Sequence, residues 1–279
     1  MRTLDDLLAA LDAELAPLPG VLVAFSGGVD SGVVLAAAVR SLGADQVVAA
    51  TAVSPSLPGA EREAAEEFAR GLGVRHEQPR TAELERAGYR ANAGDRCAFC
   101  KAELVDVLTP LAARLGIADV VTGTNADDLR AGFRPGIRAA AERGAWAPLA
   151  RAGMTKDDVR AAARHWGLPL ADKPAAACLA SRIAYGVPVS AEGLARVEAA
   201  ETGLRTAMTG AGLTVRNLRI RDLGDDRARI EVDAALVPEL TRRPELLASV
   251  TGFGRVEVDP RGFRSGSMNE LLPDPVRYR

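Results

Sequence analysis

The chain has 279 residues, of which 48% are hydrophobic and 4% aromatic, and its formal net charge is −2. This length allows one large or two modest domains, and the charge gives no electrostatic reason to expect a nucleic-acid partner. No apolar run approaches the roughly 20 residues that would span a bilayer. The N-terminal stretch 4–18 reads as an acidic amphipathic helix without the features of a secretion signal. We therefore expect a cytoplasmic protein with no membrane partner.

The first half of the chain alternates short apolar runs with helical patterns. Strands are predicted at 21–25, 46–53, 74–77 and 119–122, and helices at 32–42, 60–72 and 97–115. Strands that alternate with helices predict an α/β fold with a doubly wound parallel sheet, in which ligands bind at the carboxyl ends of the strands. The polar segment 80–95 between these elements is expected to be an irregular surface loop with a helical turn.

The pattern changes in the second half. Thr155 and Asp158 form a helix-capping pair, so a helix is predicted to run to Trp166. Beyond Ser190 we predict the following elements: a helix to about 211, strands at 215–223 and 227–232 joined by a turn at 224–226, a helix at 235–250 and a strand at 255–259. We assign 1–186 to a nucleotide-binding domain and 187–279 to a second, smaller α/β domain.

The segment Ser26-Gly27-Gly28-Val29-Asp30-Ser31 carries the clearest chemical signal. A buried strand, a glycine turn and a helix start bring backbone N–H groups and a helix dipole together at a site for an anion such as phosphate. Ser26 and Ser31 add hydroxyl donors, and Asp30 is a candidate ligand for Mg²⁺. The alternative is an ordinary glycine-rich turn between a strand and a helix.

Two further strand ends are expected at the same edge of the sheet. One is Thr51, and the other is Gly123-Thr124-Asn125-Ala126-Asp127-Asp128. Thr124 and Asn125 offer polar contacts to a nucleotide, while Asp127 and Asp128 suit Mg²⁺ or a ribose. Aspartate pairs after a strand are also common as helix caps, and that alternative stays open.

The three cysteines, Cys97, Cys100 and Cys178, are an odd number for a protein in a reducing compartment. Cys97 and Cys100 begin a predicted helix beside Arg96 and Lys101, and Lys173 and Arg182 flank Cys178. Both settings favour thiolate. Three thiolates suit an iron–sulfur cluster with one open iron position better than a zinc site, since only two histidines exist. The alternative is that these are small buried apolar residues.

The second half of the chain contains arginines whose spacing would let them bind phosphate or carboxylate. Arg219 and Arg221 alternate on one strand, and Arg264 lies in a loop of glycine, serine and arginine. An exposed strand face would look the same.

These segments together resemble the LarE-type sulfur transferases, which belong to the PP-loop ATP pyrophosphatases. The matching stretches are Ser26–Ser31, Arg96–Lys101, Gly123–Asp128, Ala177–Gly186 and Gly262–Glu270. The resemblance implies an enzyme that adenylates pyridinium-3,5-biscarboxylic acid mononucleotide with Mg-ATP and converts its carboxylates to thiocarboxylates. This reaction belongs to the biosynthesis of the nickel-pincer nucleotide, the cofactor of lactate racemase.

The resemblance also implies roles for particular residues. Arg182, Arg219, Arg221 and Arg264 would bind the substrate, and the sulfur would come either from Cys178 itself or from a 4Fe-4S cluster held by Cys97, Cys100 and Cys178. The presence of all three cysteines favours the cluster. The second domain would support a hexamer. Three alternatives stay open: a tRNA-thiolating enzyme, an ATP-dependent amide synthetase and a non-catalytic nucleotide-binding module.

Overall fold

A computed structural model describes residues 2–130, 135–174 and 177–271. The helices are α1 (Leu4–Leu15), α2 (Val29–Leu42), α3 (Gly59–Gly71), α4 (Ala87–Arg90), α5 (Arg96–Arg114), α6 (Ala126–Arg130), α7 (Pro135–Ala141), α8 (Pro148–Arg151), α9 (Lys156–His165), α10 (Ala191–Gly210), α11 (Val237–Thr241) and α12 (Pro244–Leu247). The strands are β1 (Val21–Ala24), β2 (Val47–Ala50), β3 (Arg75–Glu77), β4 (Asp119–Thr122), β5 (Leu218–Asp222), β6 (Arg227–Val232) and β7 (Arg255–Val258). Within these ranges, no helix combines the length and the apolar character that a membrane crossing requires.

The described residues fall into two compact units, 2–83 with 97–174 and 84–96 with 177–271. The first unit contains a parallel sheet with the strand order β3-β2-β1-β4. Alternate residues of β1 face two different apolar clusters. Val21 and Val23 pack with side chains of α1, α2, α3 and α9, whereas Leu22 packs with side chains of α5. Helices therefore cover both faces, and the predicted doubly wound α/β fold is confirmed.

The register of the sheet brings three strand ends to one edge. Ala24, the last residue of β1, pairs with Ala50 of β2 on one side and with Thr122 of β4 on the other. Because the strands are parallel, the segments that leave β1, β2 and β4 begin side by side. The chain therefore delivers the segments that follow residues 24, 50 and 122 to one edge of the sheet.

The second unit is a smaller α/β structure. Strands β5 and β6 are antiparallel, β6 and β7 are parallel, and α10 packs its buried Leu204 and Met208 into the same cluster as Ile220 and Ile230. The predicted turn at 224–226 joins β5 to β6, and all three of its residues have positive φ. The predicted division at 186/187 falls inside this unit, which also takes residues 84–96 from earlier in the chain.

Two sequence predictions are wrong. The helix expected at 235–250 is broken, because α11 ends at Thr241 and α12 restarts with Pro244, whose ring and missing N–H prevent a continuous helix. The segment 80–95 contains the predicted helical turn, α4, but it is not a surface loop, since Tyr89 and Asn92 are fully buried.

Asn92 is the hydrogen-bonding centre of that segment. Its Nδ2 donates to the carbonyls of Ile183, Ala184 and Val187, and its Oδ1 accepts from the guanidinium of Arg96. Its φ is +52°, a conformation that asparagine tolerates better than most residues. One side chain therefore holds the 183–187 segment in the second unit.

We expect Asn92→Ala to lower the free energy of unfolding by about 2 to 4 kcal/mol, because it leaves buried polar groups without a partner. Asn92→Gly is the matched variant, since glycine loses the same hydrogen bonds but accepts positive φ. It should be about 1 kcal/mol less destabilising than Asn92→Ala. Urea unfolding of the three proteins measures both differences, and an Asn92→Ala variant as stable as the wild type would contradict this account.

Candidate active site

The loop Ser26–Ser31 joins β1 to α2 through two glycines. Gly27 has φ of +72°, and Gly28 is the N-cap of α2. Because glycine has no side chain with which to cap the helix, the first N–H groups of α2 are left to a ligand. The two serines brace the loop from inside: Ser31 Oγ accepts from the Ser26 N–H at 3.2 Å and lies 3.2 Å from Ser26 Oγ.

The carbonyl groups of Phe25, Gly27 and Gly28, in and next to this loop, accept hydrogen bonds from other protein groups. Phe25 O accepts from Thr51 Oγ1 at 2.7 Å, and Gly27 O accepts from Lys173 Nζ at 2.9 Å. Gly28 O accepts from the Gly32 N–H at 2.9 Å and from Ser31 Oγ at 3.1 Å. Occupied carbonyls are not available to repel an anion, so this arrangement favours phosphate.

Gly123 lies against the loop at backbone distance. A Cβ built at this position would lie 2.5 Å from the Ser31 nitrogen and 2.9 Å from the Asp30 carbonyl carbon. Only glycine allows this approach, and it brings the segment that follows β4 next to the first turn of α2. Thr124 Oγ1 accepts a hydrogen bond from Thr122 Oγ1 at 3.3 Å.

Asn125 and Asp128 form a reciprocal cap at the start of α6. Asn125 Oδ1 accepts from the Asp128 N–H at 3.0 Å, and Asp128 Oδ2 accepts from the Asn125 N–H at 3.2 Å. The amide Nδ2 of Asn125 also donates to Asp30 Oδ1 at 3.1 Å. Asp127 Oδ2 accepts from the backbone N–H of Lys156 at 2.8 Å. These side chains therefore brace the Asp30 carboxylate and the start of α9.

Lys156 is a site residue that sequence reasoning missed. Its ammonium pairs with Asp30 Oδ2, so the Asp30 carboxylate is held between Asn125 and Lys156. A single carboxylate beside a phosphate loop fits Mg²⁺, which proteins usually hold through one or two carboxylates together with the phosphates of the nucleotide. Two features of the sequence could have pointed to Lys156: lysine is rare, with three in the chain, and Lys156 directly follows the helix cap at Thr155.

Thr51 is placed beside the loop, but its hydroxyl is already engaged. The residue is 1% exposed, and its Oγ1 donates to Phe25 O and accepts from His76 Nε2 at 2.8 Å. This pattern assigns the ring proton of His76 to Nε2. His76 Nδ1 is buried and has no hydrogen-bond partner among the described residues, and burial lowers the pKa of the ring against the opposing effect of Glu66 and Glu77.

The cysteines belong to both units. Cys97 is exposed and Cys100 half-buried, three residues apart at the start of α5 in the first unit, whereas Cys178 belongs to the second. The ammonium of Lys173, which precedes Cys178 by five residues in the sequence, binds Gly27 O and Glu61 within the first unit. Among residues 2–130, 135–174 and 177–271, no three His, Cys, Asp or Glu side chains form a group that could hold a metal ion.

The segment of Cys178 is tightly held within the second unit. The Cys178 carbonyl accepts from Ser181 Oγ at 2.7 Å, from the Ser181 N–H at 3.0 Å and from Arg182 Nη1 at 3.1 Å. The same guanidinium donates from Nε and Nη2 to the carboxylate of Glu201, at 2.9 and 3.2 Å. Arg182 therefore fixes the backbone at Cys178, and the thiol-bearing residue is half-buried.

The other candidate arginines lie in a network of buried charges. Arg221 pairs with the fully buried Glu231, which Arg229 connects to Asp259, and Arg264 contacts Asp259 and Glu270. Ser267, from the Gly-Ser-Met-Asn-Glu stretch, donates to Glu231 at 2.9 Å. The network thus connects Arg264 with Arg221 through residues that sequence reasoning did not select.

Arg219 has the strongest electrostatic perturbation. Burial lowers its pKa to about 10, and the positive charges of Arg182, Arg221 and Arg205 add to that effect while Glu201 opposes it. Its guanidinium lies 5.3 Å from the ring centre of Phe263. A buried cation surrounded by further cations is a favourable place for a phosphate or a carboxylate.

Comparison with known proteins agrees with this geometry. The family model described as asparagine synthase matches residues 4–209. The chain is 35% identical over 275 residues to the pyridinium-3,5-bisthiocarboxylic acid mononucleotide synthase of Lactiplantibacillus plantarum, covering 98% of this chain and 97% of that protein. It is 42% identical over 260 residues to an uncharacterised protein of Synechocystis sp., covering 91% and 94% of the two chains.

Gly123→Ala tests the close approach of the two loops. The added methyl group would meet backbone atoms of Asp30 and Ser31, so the start of α2 must shift. We expect ATP–pyrophosphate exchange to fall by about 100-fold, the effect of misplacing reacting groups by about 1 Å. Gly71→Ala is the control, because a Cβ there has no neighbour within 4 Å. Equal activity of the two variants would contradict the argument.

The lowered pKa of the His76 ring leads us to expect a loss of stability at acid pH. Its folded pKa lies below the unfolded value of about 6.5, so the unfolded chain takes up the proton first as the pH falls. The free energy of unfolding therefore keeps its full value above about pH 6.5 and decreases as the pH falls from there towards the folded pKa of His76. His76→Asn should therefore reduce the fall in Tm between pH 8 and pH 5, whereas replacement of the exposed His165 by Asn should not. A wild-type pH slope in His76→Asn would refute this.

Proposed function

Because the chain belongs to the asparagine synthase family of PP-loop ATP pyrophosphatases, and to the LarE-type sulfur transferases within it, we propose that it converts the carboxylates of pyridinium-3,5-biscarboxylic acid mononucleotide to thiocarboxylates. The product is the compound in the name of the L. plantarum relative. The observation that carries the proposal is the glycine loop of the first unit, in which the Gly27 and Gly28 carbonyls are hydrogen-bonded and Gly28 begins α2 without a side-chain cap.

The first half-reaction is the adenylation of a substrate carboxylate. A carboxylate oxygen attacks the α-phosphorus of ATP, the α–β bridging bond breaks, and pyrophosphate leaves. Ser26, Gly27, Gly28 and Ser31 bind the departing pyrophosphate through N–H and hydroxyl donors whose positions are fixed before reaction. Mg²⁺ bound to the nucleotide and to Asp30 would neutralise phosphate charge.

The remaining candidates for ATP binding have supporting roles in this proposal. Lys156 is close enough to Asp30 to add a positive charge at the phosphates. Asn125 and Asp127 orient Asp30 and the start of α9, while Gly123 permits the close approach. Thr124 is a polar contact for the nucleotide, and Thr51 positions the loop through Phe25.

The second half-reaction exchanges AMP for sulfur. In the route that needs only this chain, the Cys178 thiolate attacks the acyl-adenylate carbon and AMP leaves, which gives a thioester. Removal of the Cys178 Cα proton then breaks the Cβ–S bond, so that the product carries sulfur and the residue becomes dehydroalanine. The fixed backbone at Cys178 supports this route, since Arg182 and Ser181 hold its carbonyl.

A 4Fe-4S cluster on Cys97, Cys100 and Cys178 is the other source of sulfur. Cys97 and Cys100 belong to the first unit and Cys178 to the second, and we derive no step through a cluster. The donor chemistry, three cysteine side chains outside any disulfide, keeps iron as a measurable alternative.

Arg219 and its neighbours supply the proposed site for the charged groups of the substrate. Arg219, Arg221 and Arg182 lie in one electrostatic cluster, and Arg264 is connected to it through Asp259 and Arg229. We assign the mononucleotide phosphate to Arg219, because it is buried beside Phe263 and the neighbouring arginines Arg182, Arg221 and Arg205 lower its pKa further. We further propose a cytoplasmic enzyme whose segment 187–279 supports a hexamer.

The mass of the protein after turnover separates the two routes. If Cys178 gives up its sulfur, the wild-type chain should lose about 34 Da, the mass of H₂S, and should bind no iron. The Cys97→Ser variant should then still complete a single turnover. If a cluster is used, the reconstituted protein should bind about four irons per chain and lose them in Cys97→Ser, with no change of mass. In either case Cys178→Ser should abolish sulfur transfer but retain ATP–pyrophosphate exchange. Sulfur transfer by Cys178→Ser would overturn the proposal.

A further inference from the structure

Lys173 lies at the glycine loop rather than at a cysteine. Its ammonium donates to Gly27 O at 2.9 Å and to Glu61 Oε2 at 2.6 Å. The lysine side chain is 19% exposed and the glutamate side chain 24%, so the pair is largely screened from water. Glu61 lies in the first turn of α3, and a Cβ on Gly27 would lie 3.4 Å from Ala65 Cβ of the same helix. The Lys173–Glu61 pair thus belongs to the packing between α3 and the loop.

The peptide between Gly27 and Gly28 is the part of the loop whose orientation matters most for an anion. Gly27 has positive φ, and glycine occupies both signs of φ with similar ease, so sterics alone do not fix this peptide. In a trans peptide the C=O and the following N–H point in opposite directions. A partner that holds the Gly27 carbonyl therefore also decides where the Gly28 N–H points.

We propose that Lys173 is a positioning residue for the pyrophosphate loop, holding the Gly27 carbonyl so that the Gly28 N–H faces the anion. The inference rests on the proposed binding of pyrophosphate by this loop. The Phe25 carbonyl is bound by Thr51, which directly follows β2, and the Gly28 carbonyl by Ser31 and Gly32 of α2. For Gly27 the partner is a cation that comes from 146 residues further along the chain.

A lysine suits this task for two physical reasons. A charged donor makes a stronger hydrogen bond to a carbonyl than a neutral donor does, and it polarises the peptide so that the N–H on its other side becomes a better donor. Its flexible side chain must be immobilised for this purpose, which costs conformational entropy. Glu61 fixes the ammonium, so the loop keeps its orientation before the nucleotide arrives.

Titration with magnesium pyrophosphate tests the inference by calorimetry. Lys173→Met should weaken the binding of pyrophosphate about tenfold or more, the usual worth of a hydrogen bond to a charged group. Lys173→Arg retains a charged donor and should recover most of that loss. Arg164→Met is the matched control, because it removes one cation from the exposed pair Arg164–Asp172 in the same unit. It should bind pyrophosphate as the wild type does.

A spectroscopic measurement distinguishes positioning from general destabilisation. Gly27–Gly28 is the only Gly–Gly peptide in the sequence, so protein labelled with carbonyl-¹³C, ¹⁵N-glycine gives a single HNCO signal, which reports both the Gly27 carbonyl and the Gly28 N–H. In ligand-free Lys173→Met the Gly27 carbonyl signal should shift, and in the wild type pyrophosphate should shift the Gly28 N–H signal.

The outcomes separate this inference from the proposed function. If the wild type binds pyrophosphate and Lys173→Met binds it within threefold, or leaves the Gly27 carbonyl signal unmoved, the positioning role of Lys173 is wrong. If the wild type itself does not bind pyrophosphate, the proposed function of the loop fails first. Weak binding by Lys173→Met with an unchanged Tm and a shifted carbonyl signal supports the inference.

Discussion

The candidate active site of the first unit depends on the contacts of one carboxylate, that of Asp30. It accepts from Asn125, 95 residues away, and pairs with Lys156, 126 residues away. Because Asp127 binds the Lys156 backbone, the same group of contacts ties together the segments that follow β1 and β4 and the start of α9. A half-buried carboxylate with two partners on fixed backbone allows little freedom, so these segments keep one arrangement.

The parallel sheet of the first unit makes the contacts of Asp30 possible. It is also the part of the fold that the sequence predicts well. The apolar run at 21–25 and the run at 119–122, which is β-branched after Asp119, indicate buried parallel strands, and glycines after them indicate turns. The loop residues that act through their backbone, such as Gly27 and Gly28, are therefore found from local pattern alone. Gly123 is found as a turn, but its close approach to Ser31 depends on strand order, which the pattern does not give.

The contacts of Lys156, Lys173 and Asn92 were missed for a different reason. Each acts on a residue more than 90 positions away, and nothing near it in the sequence marks that partner. Lys173 was attached to Cys178 because the two are five residues apart, yet its ammonium extends to Gly27 instead. Sequence distance is a poor guide for long, flexible cations, since a lysine reaches wherever a carbonyl and a carboxylate satisfy its charge. The broken helix at 235–250 is a local error, because Pro244 was visible.

In the function that we propose, the two units would bind anions by different physical means. The first relies on backbone N–H groups, which carry only partial charge and need no counterion in the absence of a ligand. The second uses guanidinium groups, whose burial must be offset by carboxylates such as Glu201, Glu231 and Asp259. Fixed dipoles suit an anion that must leave, as pyrophosphate does, because they stabilise charge without binding it too tightly to be released. Paired arginines suit an anion that stays through both half-reactions, since each guanidinium can exchange part of its contact with a carboxylate for contact with the substrate.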